Sequence, residues 1–66
     1  MRDKMISALK QHALGQIEKH KINVEVYLQN PVGIGEHPDV MSALEAEVDA
    51  ISHWHDQIEV IEKYIK

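Results

Sequence analysis

The sequence holds no cysteine and no phenylalanine, and only one tryptophan and two tyrosines, in 66 residues. Without thiols, disulfides and thiolate metal sites are excluded, and the same absence fits a reducing compartment. With so few rings the core must be largely aliphatic, and Trp54 is its largest available anchor. Apolar runs never exceed three residues, far short of the ~20 needed to cross a bilayer. Met1-Arg2-Asp3-Lys4 leads into an amphipathic pattern rather than the apolar core of a signal peptide. The expected location is cytoplasmic, with no membrane partner.

Proline and glycine are scarce as well, and both are concentrated. Pro31, Gly33, Gly35 and Pro38 fall in one short stretch, leaving only Gly15 elsewhere. Everything on either side reads as helix. The chain is therefore expected to be one all-α domain, a two-helix antiparallel hairpin with a helix over about 3–29, a connector over 30–38 and a helix over about 39–65. A chain of this size buries only about 60% of its unfolded surface. Small scaffolds make up the shortfall with disulfides, a metal or a partner chain. Self-association into a four-helix bundle, most simply as a homodimer, is the expected solution.

The second helix carries the clearer pattern. Leu44, Ile51, Ile58 and Ile65 recur every seven residues, with Val48, Trp54 and Ile61 on the same face. Pro38 suits a first helical position, Asp39 the first turn, and Lys63 and Lys66 the last turn. In the first helix, Ile6, Leu9, Ala13, Ile17, His20, Val24 and Tyr27 share one face. Residues 21–28 read differently. Lys-Ile-Asn-Val-Glu-Val-Tyr-Leu alternates like a strand rich in β-branched residues. Taken alone, that segment admits either a helix that stops at Asn30-Pro31 or a strand paired between chains.

As helix, the first arm shows a second face. Ala8, Gly15 and Ile22 are seven apart and lie opposite the main stripe, with Val26 beside them. Glycine inside a helix costs about 1 kcal/mol relative to alanine, which is better explained where another backbone comes close. A weaker second stripe in the other arm runs Ala46, Ala50, His53, Gln57, Val60, Tyr64. Two apolar faces per helix suit a four-helix bundle. The residues expected to carry self-association are Ala8, Gly15, Ile22 and Val26 with Leu44, Ile51, Trp54, Ile58 and Ile61.

Charge is unevenly spread over the chain. Residues 1–24 sum to +3 and residues 25–66 to −7, which together give the net −4. A basic first arm beside an acidic second arm favours their pairing. Lys4, Lys10, Lys19 and Lys21 scatter around the helix instead of forming one basic stripe, which weighs against nucleic-acid recognition. A nucleic-acid-binding hairpin dimer using the first helix is the alternative reading.

Constellations for chemistry are thin. Asp49, His53 and Asp56 share one helical face, a weak oxygen-rich set for a divalent ion. No glutamate stands three residues before a histidine, so the ferritin-like di-metal pattern is absent. Ser52 and His53 point about 100° apart on a helix, so neither activates the other. Gly33-Ile34-Gly35 precedes a helix, but Glu36 and Asp39 would repel a phosphate there. No enzyme, cofactor or resident metal is expected. His20 and His55 fall on the buried stripes; counting from the connector sets His20 level with Val48 and His55 level with Ala13.

Residues 30–41, Asn-Pro-Val-Gly-Ile-Gly-Glu-His-Pro-Asp-Val-Met, followed by an acidic helix ending Glu-Lys-Tyr-Ile at 62–65, resemble small uncharacterised proteins of T4-like phages infecting marine cyanobacteria. That resemblance covers somewhat over half the chain and contains no catalytic motif. It implies an accessory phage protein in a bacterial cytoplasm, with no binding residues to transfer. The hairpin is also similar in topology to small RNA-binding dimers of plasmid copy control, a likeness that does not carry function. The expected role is a small interaction or adaptor protein that works by self-association and by binding a host or phage protein.

Overall fold

The structure, a computed structural model, describes residues 1–29 and 39–65. Helix α1 spans Arg2–Gln29 and helix α2 spans Val40–Tyr64. The two pack side by side in opposite directions, and no strand occurs among the described residues. The connector expected over 30–38, and with it Pro38, lies outside the described residues, as does Lys66.

The alternation at 21–28 resolves as helix. Once α1 is nucleated, each further residue adds a hydrogen bond without a new nucleation cost. Helical winding also turns Val24 and Tyr27 towards α2, where both are half-buried. A strand there would have needed an edge to pair with. Helix wins.

The seam between the helices repeats every seven residues. In α1 it is built from Ile6, Ala13, His20 and Tyr27 (position d) and Lys10, Ile17 and Val24 (position a). In α2, Val40, Glu47, Trp54 and Ile61 stand at d, and Leu44, Ile51 and Ile58 at a. A seven-residue repeat winds at 3.5 residues per turn rather than 3.6. Three residues expected on the buried faces therefore stand on its flanks instead. Leu9 sits at g, Val48 and His55 sit at e, and all three are exposed. His55 is not a core histidine: its Nε2–H donates to Glu59 Oε1 at 2.7 Å, one turn along the same helix.

Little of this seam is sealed. Ala13 and Ile61 are the only buried apolar residues among those described. The hairpin is a rod measuring 48 × 16 × 15 Å, with a radius of gyration of 15.1 Å against about 11 Å for a compact domain of this length. Its accessible surface of 5170 Å² exceeds the roughly 4300 Å² typical of a folded monomer of this mass. Of the expected attraction between basic and acidic arms, Lys10 and Glu62 form one ion pair at 3.8 Å. Both side chains reach solvent, so the pair contributes about 0–1 kcal/mol.

Asp39 stands one residue before the first helical position, as an N-cap rather than within the first turn. Its carboxylate accepts the Ser42 backbone N–H at 3.0 Å and the Ser42 hydroxyl at 2.8 Å. These two donors, the backbone one foremost, hold its pKa below the ordinary 3.8. A depressed carboxylate stabilises the fold above its unfolded pKa, and that contribution disappears as pH falls through the lowered folded value. The Ser42 amide resonance should therefore shift on acidification with a midpoint below 3.8. Asp39→Asn, which caps without titrating, should remove that transition; a midpoint at or above 3.8 would show that the cap is not formed.

Candidate functional site

Two features of the hairpin concentrate polar and apolar groups that the fold leaves unexplained. The first is a polar layer inside the seam. His20 and Glu47 occupy facing d positions, with side chains 18% and 15% exposed. A carboxylate only accepts, so His20 Nδ1–H donates to Glu47 Oε2, at 2.5 Å. Asn23 Nδ2–H donates to the other oxygen, Oε1, at 3.1 Å. Both carboxylate oxygens are thus engaged from α1. His20 faces Glu47, not Val48 as counting from the connector suggested.

Trp54 is the second centre. It is half-buried at a d position, and two imidazoles meet it edge-on. The His12 ring lies 5.2 Å away at 81° and the His53 ring 4.8 Å away at 84°, the T-shaped geometry that aromatic quadrupoles favour. Beside it an open groove of about 340 Å³ runs between the helices, lined by Leu9, His53, Asp56, Gln57, Val60 and Ile61. The Gln57 amide reaches His53 Nε2 at 3.4 Å. The groove shows which flanks share a side: Leu9 of α1 lies with His53, Gln57 and Val60 of α2.

The residues expected to mediate self-association divide into two groups. Leu44, Ile51, Trp54 and Ile58 are half-buried and Ile61 is buried, all against α1 within the same chain. Ala8, Gly15, Ile22 and Val26 point away from the seam and are exposed, Ile22 by 62% and Val26 by 54%. A Cβ added at Gly15 would meet nothing within 4 Å. No backbone among the described residues accounts for that glycine.

Asp49, His53 and Asp56 do not converge, and no three metal-ligating side chains come together among the described residues. Neither helix is long and apolar enough to cross a membrane. The chain matches no protein-family model, and neither the curated proteins nor the solved structures contain a match to it.

Proposed function

We propose that this chain is a non-enzymatic helical interaction module, in which two hairpins complete a four-helix bundle and the assembled form serves as an adaptor for a protein partner. One observation carries the reading. Among the described residues the hairpin buries two apolar ones and leaves twelve large ones exposed, Ile22, Val26, Val60 and Tyr64 among them. A two-helix monomer covers one face of each helix; a second copy covers another. The phage setting and a bacterial cytoplasm rest on the resemblance of residues 30–41 and 62–65 alone.

Nucleic-acid binding gains nothing from the geometry. Lys4, Lys10, Lys19 and Lys21 occupy four different positions of the seven-residue repeat. Lys10 is paired with Glu62 and Lys21 with Glu18. No continuous basic track results.

If assembly and folding are one equilibrium, the melting temperature must rise with protein concentration. Each tenfold increase adds about 1.4 kcal/mol to a dimer. For two such chains that is a shift of roughly 5 °C, readable by circular dichroism across micromolar to millimolar samples. A concentration-independent melt, with monomer mass in sedimentation equilibrium, would sink the bundle and the adaptor reading built on it.

A further inference from the structure

We infer that the second copy docks on one particular side of the hairpin, the side carrying Leu9, Val60 and Tyr64, and that it lies in the opposite direction along the rod. This rests on the self-association proposed above and specifies its face and orientation.

The seven-residue repeat gives the hairpin two broad sides. In an antiparallel pair, positions c and g of both helices lie on one side and positions b and e on the other. The shared groove of Leu9, His53, Gln57 and Val60 places the c and g flanks together. Within the helices, no aspartate or glutamate occupies a c or g position. Glu18, Glu25, Glu45, Glu59 and Glu62 all stand at b or e. One side has no acid at its flanking positions, although Asp56 of position f also lines its groove, and the other carries five carboxylates. Desolvating a carboxylate without a partner is costly, so the side with fewer acids is the one an apolar interface covers at lower cost. Val26 lies on it too, while Ala8, Gly15 and Ile22 form its shoulder.

Area agrees with a second copy as the occupant. The surface excess over a compact monomer is about 900 Å², close to the ~800 Å² that each partner contributes to a standard interface.

Two independent asymmetries set the direction. The first is size. On this side α2 presents Ala43, Ala46 and Ala50 towards the connector, whereas Leu9, Val60 and Tyr64 stand towards the termini. Copies aligned in the same direction, related by a two-fold axis along the rod, would set α2 against the α1 of the second copy and so press Val60 against Leu9. Reversed copies, related by a two-fold axis near His53, stack α2 on the α2 of the second copy and bring Val60 over Ala46. Interdigitation of that kind fills space to native density.

The second asymmetry is charge. Among the described residues, 16–29 and 39–52 carry Lys19 and Lys21 against Glu18, Glu25, Asp39, Glu45, Glu47 and Asp49, a net −4. The other described residues carry Arg2, Lys4, Lys10 and Lys63 against Asp3, Asp56, Glu59 and Glu62, a net of zero. Aligned copies would place −4 beside −4, and reversed copies place −4 beside a neutral half. Like charges across an interface oppose assembly. Reversal is favoured twice.

Sedimentation equilibrium on three proteins tests the face. The parent should be a dimer, Ala46→Glu should be monomeric at the same concentration, and Val48→Glu, on the acidic side, should remain dimeric. Both substitutions fall at exposed helical positions, and circular dichroism checks that each stays helical. A monomeric parent would overturn the self-association itself. A dimeric parent broken by Val48→Glu but not by Ala46→Glu would leave self-association standing and overturn the face. Thiol cross-linking tests the direction, since the chain has no cysteine of its own. In reversed copies two Val60→Cys thiols stand about 21 Å apart along the rod, beyond disulfide reach. Val60→Cys should therefore stay unlinked alone and form a disulfide when mixed with Ala46→Cys. A Val60→Cys homodisulfide with no mixed product would overturn the reversed orientation.

Discussion

Ile61→Ala is expected to lower the melting temperature by about 10–20 °C, the largest effect of any single apolar truncation in this hairpin. Ile61 is only 6% exposed and is the one large side chain among the described residues that the seam buries. Isoleucine-to-alanine changes in cores cost about 2–5 kcal/mol, depending on how far the site relaxes. Two considerations pull this case towards the lower half. Ile61 borders the open groove with Leu9 and Val60, so water reaches the vacated space. Alanine is also the better helix former, by a few tenths of a kcal/mol. A net loss of about 2–3 kcal/mol remains, and 1 kcal/mol is worth roughly 4–8 °C in a domain of this size. Val60→Ala, at a half-exposed neighbouring position, serves as the control: in a lone hairpin it should cost well under 1 kcal/mol. Equal losses from the two substitutions at low protein concentration would show that the seam is not where stability resides.

The fold was legible because its punctuation is so uneven. Both prolines and two of three glycines in one stretch leave two long uninterrupted arms, and the helices Arg2–Gln29 and Val40–Tyr64 fill them. The segment 21–28 was ambiguous for a physical reason: β-branched residues alternate there, and local pattern does not register the advantage of continuing an existing helix. Leu9, Val48 and His55 were misplaced by a finer effect. At 100° per residue a straight helix assigns them to the apolar face, whereas two helices wound about each other follow 3.5 residues per turn. Over four heptads the discrepancy accumulates to nearly a whole residue position.

The polar layer was only half visible. His20 stood out as a ring on a buried stripe, but its partner did not. Glu47 is seven residues from both Val40 and Trp54, so the column Val40, Glu47, Trp54, Ile61 holds one acid among three apolar residues. Following that column would have found the acid. Asn23 carried no comparable signal, because position g tolerates polar residues. The apolar sides were harder still. Ala46, Ala50, Val60 and Tyr64 read as a weak stripe in isolation, and their strength lies in the absence of acids from positions c and g. That absence emerges only after the repeat assigns all four flanking positions.

Glu47→Ala is expected to destabilise the hairpin by about 1–3 kcal/mol, although it removes a charged residue and installs a better helix former. Among the described residues, the glutamate is the acceptor for both His20 Nδ1–H and Asn23 Nδ2–H. Truncation leaves both donors without their acceptor at half-buried positions, and an unsatisfied donor costs about that much. Glu47→Gln should lie between alanine and the parent, since one amide oxygen still accepts while its NH₂ opposes the second donor. Replacing both facing d residues, as His20→Leu with Glu47→Leu, removes the demand along with the supply. Buried ionic pairs exchanged for apolar ones are often neutral or more stable, so the double variant should recover most of the loss. Stability would then cease to be the layer's contribution, and its remaining role is positional. A hydrogen-bonded polar pair at one level of a largely apolar seam penalises every register that separates its members. Chemical denaturation measures the first part of this expectation. Amide spectra of the double variant measure the second, where several registers in exchange should broaden lines that are sharp in the parent. A Glu47→Ala protein as stable as the parent would show that water satisfies His20 and Asn23 equally well, and a double variant with a single sharp set of resonances would show that the aliphatic seam fixes its own register.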